Sequence, residues 1–107
     1  MKMIFSIVNS DDAQNVMQAL RNAGIQATRL ASTGGFLMKG NTTIISGVED
    51  ALVDKTIALI RETSKSRKQI VPMDLIQMTP GGAPMPVEIT VGGATIFVLN
   101  VERFEKV

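Results

Sequence analysis

One stretch, residues 2–31, decides the fold of this chain, and it reads KMIFSIVNSDDAQNVMQALRNAGIQATRLA. Its first part, Lys2–Asn9, alternates loosely and is rich in β-branched and aromatic side chains, which predicts a strand. Asp11, with Gln14 three residues later, has the form of a capping box that opens a helix. Apolar side chains then recur at helical spacing, and Gly24 is well placed to end the helix. The chain therefore begins with a strand and a helix.

The rest of the sequence continues this alternation. A second helix is led by Glu49 and Asp50, whose charges suit a helix N-terminus. Five further strands are predicted, over residues 25–31, 42–48, 67–72, 86–92 and 94–101. Between the third and fourth of these strands, residues 73–85 contain Pro80-Gly81-Gly82 and Pro84 and are predicted to form a long loop.

The predicted order is strand, helix, strand, strand, helix, strand, followed by a hairpin about Gly92-Gly93. This order is typical of an α+β, ferredoxin-like βαββαβ fold, in which two helices cover one face of an antiparallel sheet. At 107 residues the chain is predicted to be a single domain, residues 1–107. The uncovered face of so small a sheet favours association with further copies.

The residue types that are absent from the sequence exclude more classes of function than the residue types that are present. The sequence has no Cys and no His, which excludes thiolate nucleophiles, Ser-His triads and zinc sites built from these residues. The 11 basic and 10 acidic residues give a net charge of +1, which argues against a partner that is a nucleic-acid polymer. No apolar run approaches the roughly 20 residues that a membrane helix needs. We therefore expect a binding protein rather than an enzyme, with no metal, no cofactor and no membrane insertion.

The N-terminal apolar stretch is also too short to be a secretory signal. It is interrupted by Asn9, Ser10, Asp11 and Asp12 before reaching the roughly 7–15 apolar residues that such a signal contains. This predicts a cytoplasmic location.

The densest cluster of small and polar residues spans positions 28–43. Paired glycines there would let a backbone approach a ligand, and the Ser, Thr and Asn side chains offer hydrogen-bonding groups. Phe36 stands in this polar run without periodic apolar neighbours, so we expect its ring to be exposed and free to stack. The alternative is a hairpin turn whose glycines only supply a positive φ. Gly92-Gly93-Ala94-Thr95 is a second small-residue patch, which taken alone favours a plain two-residue hairpin.

These motifs resemble the PII-like cyclic di-AMP receptor family of Gram-positive bacteria. The likeness is carried by residues 27–37, 40–43 and 86–95, and it extends from Met1 almost to Val107. It implies a ferredoxin-like fold, a homotrimer and one cyclic di-AMP in each cleft between subunits. It also implies a non-enzymatic signalling protein that passes the state of its ligand to a downstream protein, whose identity the sequence leaves unknown.

The resemblance further implies which residues touch the ligand. They belong mainly to the first glycine-rich motif, and Phe36 would pack against a purine, an interaction worth roughly 1–3 kcal/mol per base. By position, the implied contacts are Gln26, Thr28, Gly35, Phe36, Leu37, Asn41 and Gly47, with Gly92 and Gly93 on an adjoining wall.

One of these positions departs from the family pattern. Gln26 stands where the family carries an arginine, and glutamine offers neither a charge for phosphate nor a guanidinium plane for adenine. Arg29 or Lys39 are alternative sources of the charge, although adjacent residues of a strand point to opposite faces. The alternative function is a PII-like interaction protein that senses another nucleotide or none.

Overall fold

A computed structural model of the chain describes residues 1–30, 40–71 and 87–107. A four-stranded antiparallel sheet and two helices make up the body of these residues. In chain order the elements are β1 (Lys2–Asn9), α1 (Ser10–Asn22), β2 (Thr28–Leu30), β3 (Asn41–Val48), a 3₁₀ turn (Asp50–Leu52), α2 (Val53–Ser64), β4 (Arg67–Val71), β5 (Val87–Val91) and β6 (Ala94–Asn100). The mixed α+β class predicted from the sequence is confirmed.

The sheet has the strand order β2-β3-β1-β6, with β1 in register between β3 and β6. A ferredoxin-like plan places the fourth strand of the βαββαβ unit beside β1. Here β6 occupies that place, and β4 pairs instead with β5 in a separate two-stranded antiparallel ribbon. The predicted C-terminal hairpin is therefore wrong in its pairing, because β5 and β6 belong to different sheets and Gly92-Gly93 carries the chain from one to the other.

The core lies between the helices and the side of the sheet that carries the even-numbered residues of β1. Ile4 and Val8 of β1 are fully buried, and they meet the buried Ile44 of β3 and the buried faces of both helices. Alternation along the strands explains this division, since successive side chains point to opposite faces. The remaining core residues are Ala13, Val16, Leu20, Ile25, Val48 and Ile60.

Residues next to helix α1 in the sequence determine where it begins and ends. Its N-cap is Asn9, whose side-chain oxygen accepts a hydrogen bond of 2.9 Å from the backbone N–H of Asp11. The capping box predicted from Asp11 and Gln14 is therefore wrong, because Asn9 already satisfies this end of the helix. At the other end, Gly24 adopts a φ of +76°, and the predicted glycine stop is confirmed.

The second side of the sheet, which we call the open face, carries odd-numbered residues of β1, β3 and β6. Directly paired residues share a face, so Phe5, Ile45 and Phe97 lie in one row across it. Phe97 is 45% exposed and Leu99 47% exposed. Neither described helix packs on this side, so a band of large apolar side chains faces outward.

Candidate functional site

A cavity of about 640 Å³ lies where the C-terminal end of α1 meets the start of β2. Three of the residues predicted to bind ligand, Gln26, Thr28 and Gly47, line it together. Among the described residues, the lining consists of Met1, Met17, Arg21, Gly24, Ile25, Gln26, Ala27, Thr28, Ile45, Gly47 and Phe104. The structure thus brings the N-terminal part of the first glycine-rich motif and the end of β3 to one place.

The turn after α1 sets the position of Gln26 and Thr28. The backbone N–H of Ile25 donates to the carbonyl of Leu20 at 2.9 Å, which folds the chain back directly after Gly24. Ile25 is then buried in the core, while Gln26 and Thr28 are exposed. Thr28 pairs with Ile45, which places its side chain on the open face.

Gly47 keeps the cavity open at the end of β3. Its φ is not positive, so its backbone does not require glycine, and a Cβ built there would meet only the side chain of Met1, at 3.6 Å. Glycine weakens a strand and often marks a place where a ligand or another backbone comes close. A neighbouring hollow of about 240 Å³ shares Gln26 and Gly47 and adds Glu49 and Leu52. The absence of a side chain at position 47 therefore leaves space rather than satisfying the backbone.

Asn41 lies at the opposite end of the sheet from this cavity. It begins β3 and pairs with Asn9, whereas Gly47 pairs with Met3. Six residues of strand separate Asn41 from Gly47, which corresponds to about 20 Å. A single chain therefore presents Asn41 and the cavity residues at two separate places.

Gly92 and Gly93 also lie away from the cavity, at the junction of β5 and β6. Arg67 of β4 forms a bidentate ion pair with the buried Asp12 of α1, with Nη2 at 2.9 Å from Oδ1 and Nη1 at 3.3 Å from Oδ2. The hydrogen bond and the charge of Asp12 raise the pKa of Arg67. A Cβ on Gly92 would come within 2.7 Å of Arg67 Nη1 and 2.9 Å of the Lys65 carbonyl oxygen. Gly92 is thus closely packed over an ion pair, and Gly93 donates its backbone N–H to the carbonyl of Ser64.

The remaining predicted contacts, Gly35, Phe36 and Leu37, lie outside the described residues, as does the alternative cation Lys39. The loop predicted over residues 73–85 lies outside them as well. The described strand β3 begins at Asn41, so the glycine-rich segment leads into a strand.

The sequence comparison that decides the family covers the whole chain. The family model described as cyclic-di-AMP receptor matches residues 1–107. This chain belongs to the cyclic-di-AMP receptor family. The resemblance inferred from the glycine-rich motifs is confirmed.

A solved structure similar to this family member agrees with the fold. It is the crystal structure of a protein from Pediococcus pentosaceus ATCC 25745 that is described as functionally unknown. The two sequences are 35% identical, the TM-score is 0.77, and the match covers 99% of this chain and 96% of the other. The α+β architecture is therefore shared across nearly the full length of both proteins.

Of the cavity residues that sequence reasoning missed, Arg21 and Phe104 are the ones with side chains suited to hold a ligand. Arg21 follows Met17 by four residues, so the two share one side of α1, and this spacing is a signal that was available. Phe104 follows β6, and no local pattern relates it to the turn after α1. Only the tertiary structure brings its ring to the cavity.

Within the described ranges, no group of three or more carboxylate, imidazole or thiol side chains is arranged to hold a metal ion. In the same ranges, neither α1 nor α2 has the length and apolar character needed to cross a membrane.

Proposed function

We propose that this family member is a non-enzymatic signalling receptor that binds cyclic di-AMP in clefts between the subunits of a homotrimer. The family match over residues 1–107 carries the assignment of the ligand. The cavity that joins Gln26, Thr28 and Gly47 supports it, since these exposed residues surround a space large enough for part of a nucleotide. A cytoplasmic location and a downstream protein partner remain predictions.

The open face supports the assembly. It carries exposed apolar side chains, including Phe97 and Leu99, and patches of this kind commonly mark an interaction surface. Gly47 lies on the same face, paired with Met3 near the end of β3, so the cavity continues onto this surface. A second copy that covered the open face would therefore border the cavity.

The separation of the predicted contacts also favours a shared site. Asn41 and Gly92 lie away from the cavity that contains Gln26, Thr28 and Gly47. If all of them touch one ligand, part of the set has to come from a neighbouring subunit. An inter-subunit cleft accounts for this distribution more simply than a site within one chain.

The second candidate is a receptor for a different nucleotide, and Gln26 is the observation that favours it. Glutamine supplies hydrogen bonds but no charge at a position where the resemblance implies arginine. A panel of cyclic di-AMP, cyclic di-GMP, ATP and AMP separates the two candidates, because a ligand that binds only the folded protein raises its melting temperature. Selective stabilisation by cyclic di-AMP is expected, and selective stabilisation by another nucleotide would replace it as the ligand.

A substitution at Gly47 tests whether the cavity is the site. Gly47→Leu would fill the space with a side chain while leaving an ordinary backbone conformation, so we expect loss of measurable cyclic di-AMP binding in a folded protein. Ala58→Leu, at an exposed position of α2, is the control and should bind like the wild type. Wild-type affinity in Gly47→Leu would place the ligand elsewhere.

A further inference from the structure

The cavity has a positive charge that the sequence pattern did not assign. Among the described residues that line it, Arg21 is the one arginine or lysine, and none is Asp or Glu. The other positive group at the cavity, the amino group of Met1, is paired with the carboxylate of Asp50 at 3.0 Å. Glu49 lines the neighbouring hollow, but the described side chains that line this cavity carry only the positive charge of Arg21 and therefore favour an anionic ligand.

Arg21 is available to such a ligand. Its side chain is exposed, and it forms no ion pair or side-chain hydrogen bond with the parts of the chain that the structure describes. Its position in the last turn of α1 is favourable to any cation, because the helix dipole is negative there. That effect explains why an arginine is tolerated at this position, but it leaves the guanidinium donors unused.

The other candidate arginine faces away from the cavity. Arg29 pairs with Ile44, whose side chain is buried beneath the helices, whereas Thr28 pairs with Ile45 on the open face. Arg29 is accordingly absent from the cavity lining. Of the two arginines near β2, only Arg21 is placed to meet a ligand that touches Gln26 and Thr28.

The aromatic ring of the cavity comes from the C-terminal tail. Phe104 is 64% exposed although it lines the cavity. Its neighbours Arg103 and Glu105 form an ion pair with each other, with Arg103 Nε at 3.2 Å from Glu105 Oε1. This pair joins the two residues that flank Phe104 and leaves its ring exposed. An exposed ring beside a cavity that also carries Arg21, Gln26 and Thr28 is suited to stack on a planar group.

We propose that Arg21 binds a phosphate of the bound nucleotide and that Phe104 stacks on one of its bases. This assignment rests on the proposed function. In it, Arg21 of α1 supplies the positive charge that Gln26 lacks. Guanidinium groups pair with phosphate oxygens through two parallel hydrogen bonds, and the same contact adds a charge interaction that salt weakens. Base stacking has no comparable dependence on salt.

The test is a calorimetric titration of the full chain with cyclic di-AMP at low and high potassium chloride. Arg21→Gln should weaken binding about tenfold at low salt, which corresponds to about 1.4 kcal/mol, and should make the affinity less dependent on salt. Arg29→Gln removes the same charge from the other face of the sheet and should leave both the affinity and its salt dependence unchanged. Phe104→Ala should weaken binding about tenfold at both salt concentrations.

The outcomes separate this inference from the function on which it rests. If the wild type binds cyclic di-AMP and Arg21→Gln behaves like Arg29→Gln, the role of Arg21 is refuted and the receptor function stands. If Phe104→Ala retains wild-type affinity, the stacking role is refuted. If the wild type does not bind, the proposed function fails and the inference fails with it. Melting curves without ligand should show that all three variants remain folded.

Discussion

At the scale of single residues, glycine serves two different purposes in this chain. Gly47 leaves space beside a cavity, whereas Gly92 combines a φ of +82° with close packing against Arg67 and Lys65. A residue other than glycine at position 92 would be strained by its backbone and would also press on the ion pair. The backbone conformation and packing at position 92 therefore explain the glycine there without a ligand.

This distinction predicts a difference between two alanine substitutions. Gly92→Ala should lower the free energy of unfolding by about 2–4 kcal/mol, because left-handed strain of about 1–2 kcal/mol is added to a steric clash. Gly24→Ala is the matched control, since its φ is +76° but a Cβ would meet nothing within 4 Å. Gly24→Ala should lower the free energy of unfolding only by the backbone strain, about 1–2 kcal/mol. Chemical denaturation measures both values, and equal losses would contradict the packing argument.

At the scale of elements, the Asp12–Arg67 ion pair connects the β4–β5 ribbon to the body of the protein. Asp12 is 4% exposed, and the side chain of Arg67 is half exposed. By contrast, Lys68 and Glu88 form an ion pair across the ribbon with both partners largely exposed. Buried geometry and two hydrogen bonds distinguish the first pair from the second.

Breaking the two pairs should therefore have unequal consequences. Asp12→Asn should destabilise the protein by about 1–3 kcal/mol, because it weakens a charge-assisted contact at a buried site. It should also increase amide hydrogen exchange in β4 and β5, which the ion pair attaches to α1. Glu88→Gln, the control, should change stability by less than about 1 kcal/mol. Unchanged exchange in the ribbon of Asp12→Asn would show that the pair does not anchor it.

The helices and strands also show which features of the fold can be predicted from local sequence patterns and which cannot. Strand alternation and the glycine stop of α1 are local, and β1, α1, β3 and β4 lie close to their predicted ranges. The pairing of β5 is not local, because a glycine pair between two strands permits either a hairpin or a passage between sheets. Gln26, Thr28 and Gly47 were found through the family motif, whereas Phe104 required the tertiary path of the tail.

At the scale of the whole molecule, the exposed apolar side chains of the open face are the surface that we expect the trimer to bury. Light scattering should give a mass of about three times 11.5 kDa if the proposed trimer forms. Leu99→Glu places a charge among the apolar side chains of this face and should shift the mass toward that of one chain. Ala58→Glu adds the same charge to an exposed position of α2 and should leave the trimer intact. A trimer that persists in Leu99→Glu would show that the open face is not its interface.

The most direct test of the account is an isothermal titration of the wild-type protein with cyclic di-AMP, with cyclic di-GMP as the comparison. The account predicts saturable binding of cyclic di-AMP with one ligand per chain, equivalent to three per trimer, and much weaker binding of cyclic di-GMP. Absence of binding by cyclic di-AMP, or equal binding of the two dinucleotides, would contradict it.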